Sequence, residues 1–274
     1  MKIINEIIFW HSRKIPASLR SFLSIFFFLF IKTKNYFLYK DINMFHHVNI
    51  ELNRSCNRRC SYCPISRYPK FNKESNINYK DYCNIISQLK EINFSGEIHF
   101  TGFYEPLLEK KLEKYIKYAR KELKNVKIVV YTNGDFLNKK NLKFFKDYSI
   151  FLIISIHNDN KKNQRYKQII KMTQQNNVII KKNLNNHILS SRGGLIDVNK
   201  KDKKRFCILP SIELTIDSSG NIILCSDDFF SKNIFGNIKK EKIISIWNKV
   251  DFKKTRRNIL KGKKKTKICV SCFS

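Results

Sequence analysis

The sequence is poor in glycine and proline, with eight glycines and five prolines among 274 residues. This scarcity argues against a long flexible linker, because such linkers are rich in those residues. Acidic residues are also scarce, with 22 Asp and Glu against 54 Lys and Arg, so the chain carries a net charge of +32. No signal peptide is apparent. We therefore expect the eight cysteines to be reduced and to serve metals rather than disulfides.

The hydrophobic content of 42% and the charged content of 28% are typical of a globular protein. A chain of this length is expected to form one large domain and a small one. Its positive charge favours anions such as phosphorylated substrates or acidic lipid surfaces. The basic residues are scattered rather than gathered in one arm, so we expect no dedicated nucleic-acid partner.

Residues 1–44 are basic and apolar and centre on an aromatic run from Phe22 to Ile31. This run is shorter than the roughly 20 residues that cross a bilayer comfortably. Two interpretations remain open. The segment is either a helix on the inner face of the membrane, held by aromatic residues and acidic lipid, or a helix that caps the bottom of the next domain.

From Phe45 onwards, apolar runs alternate with segments of helical periodicity, which predicts a parallel sheet with crossover helices. The pattern is typical of an α/β partial (β/α) barrel of five to six strands spanning residues 45–200, with reactive groups where strands end. Strands are predicted at 46–52, 97–101, 126–132, 149–157 and 177–182, with a weak sixth within 187–191. Helices are predicted at 78–93, 107–124, 138–147 and 161–176.

Three cysteines stand at C-x3-C-x2-C spacing directly after the first predicted strand: Cys56, Cys60 and Cys63. Three thiolates at this spacing can hold three irons of a [4Fe–4S] cluster and leave the fourth iron without a protein ligand. A structural zinc site would need a fourth ligand, and the nearest histidines, His46 and His47, lie a strand's length upstream. The spacing favours an open iron–sulfur cluster.

These cysteines, with aromatic Tyr62 just before the third, resemble the signature of the radical S-adenosylmethionine (SAM) enzymes. In that family the open iron chelates the methionine portion of SAM, and an electron from the cluster cleaves the sulfonium to give a 5′-deoxyadenosyl radical. The resemblance implies SAM as a cofactor, with Tyr62 at its site, and an electron-donating flavodoxin or ferredoxin. The protein then supplies binding, orientation and a shaped pocket.

The second predicted strand ends in a segment that resembles the family's G-x-G-E-P motif. Gly102 and Glu105 match it, which implies that they bind the methionine amino group. Without the resemblance, Glu105 would be a helix N-terminal acid. Tyr104 stands where the family has glycine, so either the backbone follows another path or Tyr104 faces the substrate. Asn133 and Ser155, at the ends of the next two strands, resemble residues that line the cofactor cleft.

Arg192 stands beside a pair of glycines, which bring the backbone close to another part of the chain. In relatives that act on sugars or aminocyclitols, an arginine at this position faces the substrate. Because arginine stays protonated, its implied role is to orient a hydroxyl or stabilise a developing alkoxide. A loop arginine bonded to carbonyls is the alternative. His157, at a strand end, could donate a proton or serve structure alone.

Four more cysteines lie in the last quarter of the chain: Cys207, Cys225, Cys269 and Cys272. A predicted β-hairpin with its turn at 217–220 holds the second of them, and a helix is predicted at about 240–249. Spacing alone does not separate a four-cysteine zinc site from a closed [4Fe–4S] cluster.

The pattern C-x12-G-x4-C followed by C-x2-C resembles the twitch, or shortened SPASM, extension of radical SAM enzymes. The resemblance implies a small α+β domain over residues 201–274 with one auxiliary [4Fe–4S] cluster. Cys83, the remaining cysteine, lies inside a predicted amphipathic helix and is expected to be a small buried residue.

One radical-generating cluster and one auxiliary cluster imply two-electron oxidation of a carbinol, or its epimerisation, in a sugar or aminocyclitol-like substrate. The resemblance extends to enzymes of surface polysaccharide assembly, which implies a nucleotide-linked or lipid-linked sugar and a cytoplasmic enzyme with peripheral membrane contact through residues 1–44. Two alternatives stay open: a SPASM-type peptide maturase, and a non-catalytic metal-binding or nucleic-acid-binding protein. A fold alone does not fix the substrate.

Overall fold

A computed structural model of the chain describes residues 17–71, 75–155, 164–173, 178–181, 191–196, 206–263 and 266–273. Within these residues, eight strands form one sheet in the order β5-β4-β3-β2-β1-β6-β7-β8. The strands are β1 His47–Ile50, β2 Glu97–Phe100, β3 Lys127–Thr132, β4 Phe151–Ser155, β5 Val178–Lys181, β6 Glu213–Ile216, β7 Asn221–Ile223 and β8 Ile234–Asn237.

Strands β1 to β6 pair in parallel, and β7 and β8 continue the sheet antiparallel beyond β6. Helices cover and flank the sheet. They are α1 Ala17–Tyr39, α2 Pro64–Arg67, α3 Tyr79–Glu91, α4 Leu112–Glu122, α5 Lys139–Asp147, α6 Gln164–Met172, α7 Leu209–Ile212, α8 Ile243–Trp247, α9 Val250–Leu260 and α10 Lys267–Phe273. Two 3₁₀ turns span Pro69–Phe71 and Pro106–Leu108.

The main core lies between the outer face of the sheet and its crossover helices. Val48 and Ile50 of β1, like Ile98 and Phe100 of β2, are fully buried there with apolar residues of α3 and α4. Because side chains alternate along a strand, the residues between them point to the opposite, inner face. The outer face therefore holds the fold together, and the inner face is available for chemistry.

The five predicted parallel strands are all present, although most of them are shorter than predicted. The weak sixth strand falls mainly in 182–190 and lies outside the described residues, as does His157. The predicted helix at 107–124 begins instead at Leu112. The carboxylates of Glu105 and Glu109 accept hydrogen bonds from the backbone N–H groups of Leu107 and Lys111, at 3.0 Å each, which makes a separate turn before α4.

Helix α1 packs along the amino ends of β1 and β6. Its Phe27 and Ile31 contact Ile208 and Ile212, just before β6. Asn35 donates from Nδ2 to the Met44 carbonyl at 2.5 Å, just before β1. This placement agrees with the interpretation of the segment as a cap on the bottom of the sheet.

The helix is longer than the aromatic run that predicted it. The 18 residues Phe22–Tyr39 form the one helical stretch in the described part of the chain that is long and apolar enough to cross a membrane by length and composition. The sequence-based prediction underestimated the length of this helix. It counted only the uninterrupted apolar run from Phe22 to Ile31 and stopped before Lys32.

Candidate active site at the carboxyl ends of the strands

Three predicted site segments meet where parallel strands end. The first cysteine loop follows β1, Glu105 follows β2 and Asn133 follows β3, and these three strands are neighbours in the sheet. Ser155 ends β4, and the pairing of Thr132 with Ile154 places it beside Asn133. The carboxyl ends of parallel strands form one edge, so the topology gathers these side chains.

The first cysteine loop closes into the short helix α2. The backbone N–H of Cys63 donates to the Cys60 carbonyl at 2.9 Å, and the Ser66 hydroxyl donates to the carbonyls of Cys60 and Cys63 at 2.8 and 2.7 Å. Burial raises the pKa of all three thiols, Cys56 included, and neighbouring thiols of the set raise the pKa of Cys56 and Cys63 further. The hydrogen bonds hold the cysteines in one compact loop.

Glu105 is buried at the centre of the neighbouring loops, with 2% of its surface exposed. Its carboxylate accepts hydrogen bonds from the Thr132 hydroxyl at 2.6 Å and from the Asn133 backbone N–H at 2.8 Å. Burial raises the pKa of Glu105, and these hydrogen bonds oppose the increase. The residue joins the ends of β2 and β3 and lies near enough to Cys56 to raise the pKa of that thiol.

Sequence reasoning missed a second link, between the cysteine loop and the loop after β3. Arg58 donates from Nε to Asp135 at 2.7 Å, and Asn57 donates to the same carboxylate at 2.7 Å. The Asn133 side chain donates to Asn57 at 2.9 Å. These contacts fix the cysteine loop across the end of the sheet. Arg58 and Asp135 show no motif of their own, and only their position beside motif residues could have indicated them.

The structure places Tyr104 away from this site. Its ring lies in the main core, 7% exposed, and its hydroxyl donates to the Ile50 carbonyl at 3.2 Å. Gly102, two residues earlier, has a φ of +143° and lies against the side chain of Glu51. The backbone thus takes the other path that the sequence analysis allowed for a non-glycine residue at position 104. Glu51 accepts a hydrogen bond from the Phe103 N–H at 2.9 Å.

Arg192 lies between the two cysteine sets. Its guanidinium pairs with the Asp227 carboxylate at 2.9 Å, and Asp227 is two residues from Cys225. Burial opposes the charge on Arg192, but Asp227 and the thiolate forms of Cys63 and Cys225 raise its pKa. The guanidinium also lies 5.8 Å from the centroid of the Phe103 ring, and Phe103 belongs to the aromatic cluster that Cys56 and Cys63 pack against. Both interpretations of Arg192, a substrate-facing arginine and a loop arginine bonded to carbonyls, are compatible with this ion pair.

The glycine pair after Arg192 allows the backbone to approach helix α10, which carries Cys269 and Cys272. A Cβ atom on Gly193 would lie 2.5 Å from Ile268 Cγ1, and one on Gly194 would lie 2.4 Å from Ser271 Cβ. Both glycines also have positive φ, +67° and +86°. The turn and the helix fit only because neither position has a side chain.

An aromatic cluster also joins the two sets. Phe229 is 1% exposed and packs edge-on against Phe103, with ring centroids 4.8 Å apart and planes at 88°. Phe230, Cys56 and Cys63 lie against the same cluster. The loop that follows Cys225 therefore packs directly on the loop that carries the first three cysteines.

The inner face of the sheet is polar on the side nearest the second set. The rings of His47 and His99 stack with centroids 4.8 Å apart. Glu213, 3% exposed, accepts hydrogen bonds from Asn49 Nδ2 at 3.2 Å and from the Ser226 N–H at 2.9 Å. No motif in the sequence indicated this group of polar residues. On β3 and β4 the same face is apolar and carries Val129, Phe151 and Ile153.

The thiols are grouped rather than already closed around a centre. Within the described residues, no three histidine, cysteine or acidic side chains approach closely enough to hold a metal ion. Their chemistry nevertheless fits iron–sulfur clusters, because thiolates are the ligands of such clusters and binding releases their protons. A set of three leaves one position open, and a set of four can close completely.

Two family descriptions match the chain: the Radical SAM superfamily over residues 50–186, and the SPASM iron-sulfur cluster-binding domain over residues 207–273. The chain belongs to the radical SAM superfamily. It is a radical SAM oxidoreductase with an α/β radical SAM fold, and SAM and iron–sulfur clusters are its cofactors. These findings confirm the resemblance and the cofactors predicted from the cysteine motifs.

Within that superfamily the chain is similar to an aminocyclitol dehydrogenase. It is 30% identical over 235 residues to the S-adenosyl-L-methionine-dependent 2-deoxy-scyllo-inosamine dehydrogenase of Niallia circulans, covering 84% of this chain and 93% of that protein. The structure of BtrN in complex with AdoMet and 2-DOIA matches with a TM-score of 0.75 and 28% identity, covering 84% of this chain and 94% of that one. Native anSMEcpe with bound AdoMet matches with a TM-score of 0.57 at 11% identity, over 78% and 82% of the chains, which shows the fold alone.

Proposed function

We propose that this enzyme oxidises a carbinol of a sugar or aminocyclitol-like substrate during surface polysaccharide biosynthesis. The observation that carries the proposal is the position of Arg192, which pairs with Asp227, two residues after Cys225, and lies over the Phe103 ring in the aromatic cluster that contacts Cys56 and Cys63. A substrate beside Arg192 would lie between a centre that starts radical chemistry and a centre that can take up an electron. The similarity to a dehydrogenase supports the same reaction class.

We assign Cys56, Cys60 and Cys63 to the open cluster and the four later cysteines to an auxiliary cluster. When bound, the open cluster and SAM supply a carbon radical that removes one hydrogen atom from the substrate. Oxidation to a ketone also requires the loss of one proton and one electron. Arg192 orients the hydroxyl that loses the proton and stabilises its developing negative charge, while a base accepts the proton.

Cofactor binding falls to the residues at the carboxyl ends of the strands. Glu105, already desolvated, is positioned to receive the amino group of SAM if its hydrogen bonds from Thr132 and Asn133 are exchanged. Gly102, Tyr62 and Ser155 complete the proposed cleft. Tyr104 is not part of this proposal, because its side chain lies in the core.

The polar inner face supports a substrate with several hydroxyl or amino groups. Asn49, His99 and Glu213 offer both donors and acceptors there. An apolar peptide side chain would gain little from such a surface, since buried polar groups left unpaired cost free energy. We therefore favour a sugar-like ring, rather than a peptide, as the substrate.

The finer assignment of partners follows from charge and position. We propose a cytoplasmic enzyme that takes electrons from a flavodoxin or ferredoxin and acts on a nucleotide-linked or lipid-linked sugar. The net charge of +32 favours phosphate-bearing substrates and the acidic inner face of the membrane. Residues 1–44 provide the proposed membrane contact.

Anaerobic reconstitution tests the proposal. The enzyme should bind about eight irons per chain, with sulfide in equal amount, and SAM should change the EPR spectrum of the reduced protein. Incubation with nucleotide sugars or aminocyclitols and a reductant should then yield one ketone for each 5′-deoxyadenosine formed. About four irons together with zinc would leave the second set as a structural site and contradict the two-electron oxidation.

A further inference from the structure

Helix α1 carries an apolar stripe that the described part of the chain leaves exposed. The exposed fractions are 64% for Phe22, 56% for Phe26, 57% for Leu29, 46% for Phe30 and 70% for Phe37. These positions recur at helical intervals, so they share one side of the helix. Large apolar side chains gathered on one exposed face mark a contact surface, unlike single ones scattered over a protein.

The opposite stripe of the same helix is firmly docked. Ile31 is fully buried and Asn35 is 1% exposed, and Tyr39 accepts a hydrogen bond from the Ser95 N–H at 2.8 Å. A helix held along its length by one side cannot cross a bilayer without leaving these partners. It can lie in the membrane plane, with its outward stripe in the interfacial region.

Lysines accompany the stripe along the helix. Lys32 and Lys34 belong to α1, and Lys40 follows its last residue. The chain as a whole carries +32. Two copies meeting through this face would bring like charges together, whereas anionic lipid headgroups would neutralise them. Charge therefore favours a bilayer over a second copy of the chain as the occupant.

We propose that the outward stripe of α1, defined by Phe22, Phe26, Leu29, Phe30 and Phe37, inserts into the interface of an anionic bilayer. This inference rests on the peripheral membrane contact in the proposed function. It names the residues that make the contact, the charge of the lipid and the orientation of the protein on the membrane. Met44, Ser95 and Ile212, just before β1, β2 and β6, lie at the edge of the sheet beneath α1.

The orientation has a consequence for the site. The first cysteine loop and Glu105 follow the carboxyl ends of the strands, at the opposite edge of the sheet from α1. A four-residue strand spans about 13 Å and a helix is about 10 Å thick, so the SAM-binding edge stands roughly 20 Å from the lipid surface. It faces the aqueous phase, from which SAM and a soluble electron donor arrive.

Vesicle sedimentation of the reconstituted full chain tests the proposal. We compare wild type with Phe22→Ser/Phe26→Ser/Phe30→Ser, and with a matched triple variant, Phe136→Ser/Ile234→Ser/Val250→Ser, whose apolar side chains are exposed on other elements of the chain. Phosphatidylcholine vesicles with and without 30% phosphatidylglycerol are the probes. Wild type and the matched variant should bind the anionic vesicles, and the stripe variant should bind about tenfold less.

Circular dichroism and reductive SAM cleavage of each variant keep the outcomes separate. The stripe variant should retain its helical signal and its SAM cleavage in solution. Equal sedimentation of all three proteins, or binding that ignores lipid charge, would overturn the membrane inference. Dimerisation that the stripe variant abolishes, without any vesicle binding, would overturn it in favour of a second copy. Loss of SAM cleavage in wild type with vesicle binding intact would refute the proposed function alone.

Discussion

The two cysteine sets are built in different ways. Cys56, Cys60 and Cys63 occupy one loop after β1, within eight residues of sequence. The later four come from three separate places: Cys207 before α7, Cys225 after β7, and Cys269 and Cys272 on α10. The first set needs only its loop to be held, as it is by the contacts to Asp135. The second exists only when the surrounding fold brings its parts together.

The largest effect should come from removing the first cysteine set, Cys56, Cys60 and Cys63. The Cys56→Ala/Cys60→Ala/Cys63→Ala variant should lose reductive SAM cleavage completely, because the position that binds SAM is lost. Iron should fall from about eight to about four per chain, and the SAM-induced EPR change should disappear. Since these residues lie in a loop, the unfolding midpoint should change little. Retention of the SAM-induced change would show that the first set has been misassigned.

Removing part of the second cysteine set should give a different combination of losses in iron, SAM cleavage and product. Cys269→Ala/Cys272→Ala should also lose about four irons, but it should retain SAM cleavage and lose ketone formation. The thermal midpoint should fall, because metal binding holds α10 to the rest of the chain. Product analysis and calorimetry in parallel measure both effects. Normal ketone yield with half the iron would contradict an electron-accepting role.

The contact between the sets can be weakened at Arg192. Arg192→Lys keeps the charge but loses the guanidinium that pairs with Asp227, so we expect kcat for substrate oxidation to fall about 10- to 100-fold. SAM cleavage without substrate should remain, and the iron content should be unchanged. Arg120→Lys is the matched control, because Arg120 lies on α4, a different element from both cysteine sets, and donates to the carbonyls of Tyr148 and Val126. Equal losses in both variants would point to a structural role.

A smaller effect is expected at the turn beside α10. Gly194→Ala adds a Cβ that would lie 2.4 Å from Ser271 Cβ, at a φ of +86° that disfavours any other residue. The strain should destabilise folding by about 1–3 kcal/mol. Chemical denaturation measures this loss of stability. Iron content shows whether the second cysteine set alone loses its iron. Unchanged stability would mean that α10 does not need this close approach.

The smallest effect should follow Cys83→Ala. Cys83 lies on α3, half-buried and on a different element from both sets. Turnover and iron content should match wild type, because an epimerase that needs a thiol hydrogen donor is not the reaction we propose. Complete loss of turnover with both clusters assembled would favour epimerisation instead.

The first cysteine set could be predicted from the sequence, because the spacing of its three cysteines is itself the motif. The same holds for Glu105, which stands in a recognisable segment. Asp135 and Phe229 were not readable, since their roles arise from contacts between loops that are distant in sequence. Helix α9 was missed because its sequence is strongly basic and only a few of its residues, such as Phe252 and Ile259, are buried.

The pairing of β1 with β6 links residues 166 positions apart, such as His47 and Glu213. During synthesis, one edge of β1 stays unpaired until the ribosome has made β6. At about 5–20 residues per second, the delay is roughly 8–33 s. Until then, β1 offers unpaired backbone groups to other chains. Yield in a cell should therefore depend on chaperone capacity and on the rate of translation through the second half of the message.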